Sequence, residues 1–250
     1  MIIKLQTKLF PANSHGFYSR YEIDSDGNKS ELNYAYSDLA DKEHVEINRS
    51  KIQSDLRIQK NNLIDIKQIH SENVLTIRNL NDPKGFNGDG MVTNLSGVGL
   101  AILTADCAPI LFSDKASGVI GIAHAGWKGA LLGITNNTIK SMVRLGAQRN
   151  QISACVGPCI SKDHYEVGLD LKSAFLNKDS TSSKYFSVKN EKKFLFDLPG
   201  FILNSIKQSG IKKVGYVNIC TYKNTNFFSY RRDLKQKQTS FKRNISVIKL

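Results

Sequence analysis

The sequence predicts an α+β fold, a sandwich of mixed and antiparallel sheets with flanking helices, and three observations carry that expectation. Short apolar runs follow one another across tight polar connections, most clearly around residues 107–125. Only three or four segments show helical periodicity, and strands and helices do not alternate as a doubly wound parallel sheet requires. With 250 residues, 40% of them hydrophobic, and no internal repeat, low-complexity linker or break in composition, the chain reads as a single domain over 1–250.

From the N-terminus, 15–20 (His-Gly-Phe-Tyr-Ser-Arg) reads as a strand and 24–30 as a turn-rich polar loop. Over 40–56 the residues Val45, Ile52 and Leu56 recur at helical spacing behind early acidic residues, which predicts a helix packed on one side. Residues 63–69 alternate apolar and polar side chains and deliver His70 at a strand end; 73–77 is a further strand, and 79–90, rich in Asp, Asn, Pro and Gly, is a loop. The apolar stretch 97–104 is a buried strand that ends just before Cys107.

The loop Asp114-Lys115-Ala116-Ser117-Gly118 invites a hairpin. A two-residue turn at Lys115-Ala116 sets Cys107 directly opposite His124 on one face, within about 5.5 Å between Cβ atoms, whereas a bulge at Gly118 sends them to opposite faces. Beyond it, 130–145 reads as one helix closed by Gly146, and Gly126 and Gly129 allow close backbone approach beside His124. A strand at 152–156, a helix opened by Asp197 and Pro199 and ended by Gly210, strands at 214–219 and 227–230, a basic polar tail over 235–243 and a last strand at 245–250 complete the expectation.

The excess of 35 basic over 22 acidic residues, a formal net charge of +13, favours anionic partners. The lysines are scattered and no basic stripe is interleaved with aromatics, so nucleic-acid binding is not expected. No run reaches the roughly 18–20 apolar residues of a membrane span, and the N-terminus lacks a basic segment followed by an apolar one; a soluble, cytoplasmic protein is expected. Four cysteines (Cys107, Cys155, Cys159, Cys220) make no disulfide framework and read as reduced thiols or metal ligands, Cys155 and Cys159 being explained simply as small buried hydrophobes.

Five histidines are present: His15, His44, His70, His124 and His164. His70 and His124 both end apolar strands, and with Cys107 they would suit Zn²⁺ with an open fourth position. The same Cys107 and His124 would equally serve as a thiolate nucleophile and its base. Two histidines and a cysteine also describe a copper centre with Met91 as weak axial ligand, although the histidines are too few for a multicopper cluster. Asp106 would face away from Cys107 if the strand continued. Anion contacts could come from Arg20, Arg49, Lys128, Arg231 or Arg232, each beside an apolar or glycine-rich segment, and Trp127 and Tyr165 could stack on a base.

Taken together, His15-Gly16-Phe17, Gln68-Ile69-His70, Asp89-Gly90-Met91-Val92-Thr93, Thr104-Ala105-Asp106-Cys107, His124-Ala125-Gly126-Trp127-Lys128-Gly129, Gly157-Pro158, Cys220-Thr221 and Phe227-Phe228-Ser229-Tyr230-Arg231-Arg232 resemble the YfiH/YlmD family, the polyphenol-oxidase laccase-domain family with FAMIN-like purine nucleoside phosphorylases. The resemblance covers nearly the whole chain. It implies an αββα-type fold and zinc held by His70, Cys107 and His124, which also make up the catalytic centre. It implies purine nucleoside phosphorylase activity on adenosine, inosine, guanosine and methylthioadenosine, with adenosine deaminase activity, in a monomer or homodimer. Phosphate would be bound by Arg49 first, with Arg20 and Arg231 behind it. A cytoplasmic peptidoglycan-editing amidase acting on a UDP-muramoyl-L-serine precursor, a metal-free Cys-His hydrolase and a structural zinc domain are the other readings. The chain departs from the family at Tyr21-Glu22-Ile23-Asp24, where Gly-Gly-Val-Ser is usual, at Ser71 in place of Gly, and after Arg232, where Thr-Gly-Arg is replaced by lysine-rich sequence.

Overall fold

A computed structural model describes residues 2–36, 41–238 and 242–250. Along the described chain run β1 (Ile2–Leu5), β2 (His15–Ile23), β3 (Lys29–Glu31), α1 (Lys42–Leu56), β4 (Leu63–Ile64), β5 (Val74–Ile77), β6 (Gly90–Thr93), β7 (Gly99–Thr104), β8 (Ala108–Asp114) and β9 (Val119–Ala125). They continue with α2 (Trp127–Leu132), α3 (Ile134–Arg144), β10 (Ser153–Val156), β11 (Glu166–Val167), α4 (Leu169–Lys178), β12 (Phe186–Asn190), β13 (Lys193–Phe196), α5 (Leu198–Gln208), β14 (Lys213–Tyr216), α6 (Tyr230–Lys235) and β15 (Asn244–Lys249).

Two mixed sheets pack face to face. The first has the order β1-β2-β15-β7-β4 with β3 on β2, and the second β14-β10-β8-β9-β6-β5; β11-β13-β12 forms a small third sheet. Pairing is antiparallel except at β4–β7, β5–β6 and β10–β14. Alternation sorts the side chains into layers. Phe17, Leu100, Ile102 and Ile248 of the first sheet meet Met91, Leu111, Ile120 and Ile122 of the second in a closed inner cluster. On the outside of the first sheet Tyr18, Ala101, Ile245 and Val247 receive Ile52 and Leu56 of α1, and on the outside of the second Ile110, Phe112 and Ala123 receive Ile139 and Met142 of α3 and Ile202 and Ile206 of α5. The result is the α+β sandwich, helix, sheet, sheet, helix, that the sequence leads one to expect.

Several elements differ from expectation for local reasons. The helix anticipated over 130–145 starts at Trp127 and is divided into α2 and α3 by Gly133, whose φ of +107° no helix tolerates. The aromatic run 227–230 forms no strand: Phe227 and Phe228 are buried anchors, and the Ser229 side chain caps α6 by accepting the Arg232 N–H. The alternation at 63–69 gives only the two residues of β4. Helix α4 and the hairpin β12–β13 occupy a stretch whose short mixed pattern assigns no element, so there are six α-helices among the described residues rather than three or four. The expected helix start at Ala40 lies outside the described residues, as do 239–241 of the basic tail.

His15 is fully buried at the head of β2, where its Nε2 accepts the Thr7 N–H at 2.8 Å. Burial lowers its pKa to about 4. The unfolded chain therefore binds a proton that the folded chain refuses, so the stabilising effect of neutral His15 is complete above pH 6.5 and is lost as pH falls toward 4. Urea denaturation at pH 7.5 and pH 5 is expected to show a loss on the order of 2 kcal/mol from this group, and the pH dependence to flatten in His15→Gln.

Candidate functional site

Strand β7 belongs to the first sheet and β8 to the second, and only residues 105–107 connect them. The chain turns at Asp106, whose φ is +86°. This conformation is costly for a side chain with a Cβ and is held by its surroundings. The Asp106 carboxylate accepts from Thr221 Oγ1 at 2.6 Å and from the Arg231 N–H at 2.7 Å, and its carbonyl accepts the Ile160 N–H at 2.9 Å. Asp106 is thus occupied in shaping the crossing and does not partner the thiol of Cys107, which follows it.

The hairpin brings His124 alongside. Its turn has four residues instead of two, with Gly118 at φ +61°, and the register pairs Pro109 with His124 and Asp114 with Val119. Relative to direct pairing of Cys107 with His124 the strands are slipped by two residues. A slip of one would separate the faces, but a slip of two preserves them, so Cys107 stands diagonally from His124 on the same side.

His70 arrives from the loop between β4 and β5. It does not end a regular strand; its own φ is +60°. The segment is fixed by side chains: Gln68 Nε2 donates to the Leu103 carbonyl and its Oε1 accepts the Leu103 N–H, both at 2.8 Å, imitating strand pairing against β7. Asp89, wholly buried just before β6, then gathers the loop. Its carboxylate accepts the N–H groups of Ile69 (3.3 Å), His70 (3.0 Å) and Ser71 (2.5 Å) and the Ser71 hydroxyl (2.7 Å), and it lies 2.7 Å from His124 Nδ1.

Ligand atoms of His70, Cys107 and His124 all lie within 4.8 Å of one another, the one such group of three among the described residues. Cys107 Sγ is 3.9 Å from His70 Nε2, and the two imidazole rings meet edge to face with centroids 4.8 Å apart. Burial alone would push the Cys107 thiol up, but the charge and hydrogen bonds of His124 and His70 outweigh it and bring the thiol down to about 6. Burial would likewise lower His124, yet the Cys107 thiolate and Asp89 raise it to about 9. The Asp89 carboxyl, in spite of burial, is held down to about 2 by His124 and Ser71. Without a metal, all three shifts favour the charged forms: thiolate at Cys107, imidazolium at His124 and carboxylate at Asp89.

These residues also fit a metal ion. Two imidazoles and a thiolate are a zinc donor set, and at bond lengths of about 2.1 and 2.3 Å such atoms stand roughly 3.6 Å apart around a tetrahedral ion, close to the 3.9 Å between Cys107 and His70. Asp89 on Nδ1 leaves the Nε2 of His124 for the ion, the usual carboxylate–histidine arrangement. Gly126 keeps the space clear: a Cβ there would lie 2.9 Å from His70 Cδ2 and 3.0 Å from Cys107 Sγ. Met91 is enclosed in the inner cluster and does not line the cavity, so the copper reading lacks its axial thioether.

The three residues sit in a cavity of about 910 Å³ whose walls include Arg49, Asp65, Gln68, Phe86, Tyr230 and Arg243. Of the expected anion contacts only Arg49 is there, buried, with one nitrogen 2.6 Å from Asp65 Oδ2 and its Nε donating to the Tyr34 carbonyl. Arg20 is drawn away to Glu31 at 2.7 Å and lies over the Tyr21 and Phe228 rings. Arg231 donates to the Glu166 carbonyl and lies over Tyr165; Arg232 is spent on the carbonyls of Thr221, Tyr222 and Phe227; Lys128 is exposed over Trp127. Trp127 and Tyr165 pack against the outer cluster of the second sheet, outside the cavity. The sequence reading missed Asp89, Tyr230 and Arg243. Asp89 had a signal, a carboxylate immediately ahead of an apolar strand, whereas Arg243 is one basic residue in a basic tail.

The chain is similar over most of its length to known proteins. Residues 14–250 match the family described as multi-copper polyphenol oxidoreductase laccase. A purine nucleoside phosphorylase of Deinococcus radiodurans is 35% identical over 189 residues, covering 76% of this chain and 72% of that protein, and the purine nucleoside phosphorylase YfiH of Escherichia coli is 30% identical over 193 residues, covering 76% of each. A crystal structure of a Neisseria meningitidis protein of family DUF152 superposes with a TM-score of 0.84 at 31% identity, covering 100% of this chain and 98% of the other. The chain therefore belongs to the multi-copper polyphenol oxidoreductase laccase family, the family of the YfiH proteins.

Proposed function

We propose that the protein is a zinc-dependent purine nucleoside phosphorylase that cleaves adenosine, inosine, guanosine and methylthioadenosine to the free base and ribose 1-phosphate, and that it also deaminates adenosine. The observation that carries this reading is the convergence of His70, Cys107 and His124 in one large cavity that also holds Arg49 and Arg243, in a chain whose relatives are named purine nucleoside phosphorylases. Phosphorolysis needs cations for the phosphate and for the charge that shifts as the glycosidic bond breaks. Arg49 meets the first need, although Asp65 already offsets part of its charge. Arg243 is the second cation: burial depresses its pKa, the field of Cys107 opposes that, and Arg20 and Arg231, expected behind Arg49, are engaged elsewhere.

His70, Cys107 and His124 would hold Zn²⁺, which supplies Lewis acidity at the floor of the cavity. Asp89 keeps His124 in one tautomer and orientation, and Tyr36, Phe86 and Tyr230 give the cavity aromatic surface against which a purine can stack. A second reading has a specific observation in its favour. The Cys107 thiolate beside the His124 imidazolium, oriented by Asp89, is the arrangement of a metal-free cysteine hydrolase or amidase.

Purified protein is expected to carry about one zinc per chain and to release hypoxanthine from inosine only when phosphate is present. Chelation should abolish that release and added zinc restore it; a zinc-free protein that loses an amidase activity on thiol alkylation would establish the second reading instead. Cys107→Ala is expected to lower kcat/KM for inosine by at least about 10³-fold, with the product followed by chromatography.

Gly126→Ala places a methyl group against Cys107 and His70. Its zinc affinity should fall by about 10–100-fold in competition with a chromophoric chelator. Arg49→Ala or Arg243→Ala should raise KM for phosphate by about tenfold or more with a smaller change in KM for inosine.

A further inference from the structure

Outside the cavity the chain holds a second cysteine–histidine pair. Cys220 is half-buried, its Sγ lies 3.6 Å from His164 Nδ1 and accepts the Ser161 N–H at 3.3 Å. The imidazole is fixed by stacking on Tyr222, 4.8 Å between centroids, and by Ser161 Oγ at 3.2 Å from the same nitrogen. Directly beside Cys220 runs Cys159, fully buried, in a parallel bridge closed from both sides: the Cys159 N–H donates to the Ile219 carbonyl at 3.2 Å and the Thr221 N–H to the Cys159 carbonyl at 3.1 Å. Bridged residues stand about 4.8 Å apart with side chains on one face, inside the Cα range of about 4.4–6.8 Å that a disulfide accepts. Both are free thiols here, and neither belongs to the metal-ligating group.

We propose that Cys220 is a hydroperoxide-reactive thiol that resolves onto Cys159 as an intrachain disulfide. Cys220 combines partial exposure, an imidazole within reach of its sulfur and a backbone N–H donating to that sulfur. Cys159 has no access to solvent and, with burial pushing its thiol up, is no independent nucleophile toward peroxide. In the first step the Cys220 thiol passes its proton to His164, the sulfur attacks one peroxide oxygen, the O–O bond breaks, and the departing hydroxide takes the proton from His164 as water; sulfur is oxidised to the sulfenic acid and peroxide is reduced. In the second step the Cys159 sulfur attacks Cys220, the S–O bond breaks, and hydroxide leaves with the Cys159 proton as a second water. Two thiols and one hydrogen peroxide thus yield one disulfide and two waters.

The pair is well placed to be felt at the metal-ligating group. Ile160 and Thr221, the residues after Cys159 and Cys220, both hydrogen-bond Asp106, which shapes the turn presenting Cys107. Oxidation pulls Cys220 Sγ off Ser161 and His164 and ties the two segments that hold Asp106.

The test is peptide mapping of the full, unaltered chain after hydrogen peroxide, with iodoacetamide alkylation before digestion. The expected result is a tryptic peptide pair joined through Cys159 and Cys220 that dithiothreitol separates; in Cys159→Ala, dimedone should instead label Cys220, and His164→Gln should slow oxidation of Cys220 about tenfold at neutral pH. Cys220 remaining fully alkylatable after peroxide, or a disulfide that leaves out Cys220, overturns the proposal. The linked peptide in the unaltered chain decides the matter even if Cys159→Ala does not fold.

Discussion

The buried carboxylate of Asp89 is the constraint on which the candidate site depends. A carboxylate removed from water is strongly unfavourable unless its lone pairs are filled, and here they are filled by three backbone N–H groups, one hydroxyl and the imidazole of His124. The charge has nowhere to go. It therefore fixes whatever donates to it: the turn that carries His70 in a left-handed conformation, and the tautomer of His124 on another strand. Because Asp89 N–H and Gly90 N–H both donate to the Asn73 carbonyl, and His124 N–H to the Asp89 carbonyl at 2.7 Å, the side chain and its backbone hold the same three segments. Without Asp89, His70 has no reason to be where it is.

The second constraint is topological. Three residues take the chain from the first sheet to the second, and a crossing this short can be made only with an unusual backbone conformation, which Asp106 adopts. Cys107 is the last residue of that crossing. Its position follows from the docking of two sheets whose inner faces are filled by Leu100, Ile102, Leu111 and Ile122, so packing far from any chemistry decides where the sulfur stands.

The layered fold was largely legible because it is written locally. Continuous apolar runs marked β7, β8 and β9, Val45, Ile52 and Leu56 marked α1, and Asp197, Pro199 and Gly210 bracketed α5. What could not be read was settled at long range or by single backbone angles. Gly133 splits a helix whose periodicity runs straight through it, and Phe227 and Phe228 look like strand residues because burial, not pairing, is what they serve. At the site, Cys107, His70 and His124 stood out as rare residues near apolar ends. The two-residue slip of the hairpin was hidden in the turn, but parity protected the conclusion. The arginines were poorly legible for a plain reason: whether a cation is free depends on partners such as Glu31 for Arg20 or the Glu166 carbonyl for Arg231, and nothing in the local sequence reveals them.

The three-residue crossing has a mechanical consequence. His124 is carried by the second sheet, His70 by a loop braced through Gln68 against the first, and Cys107 by the link between them. Anything that binds all three at once is a clasp across the sandwich, so its binding free energy adds to the work of prying the sheets apart. Amide hydrogens of β7 and β8 would then exchange only by openings that first release the clasp, and slow exchange in the middle of the core would become a readout of occupancy at its edge.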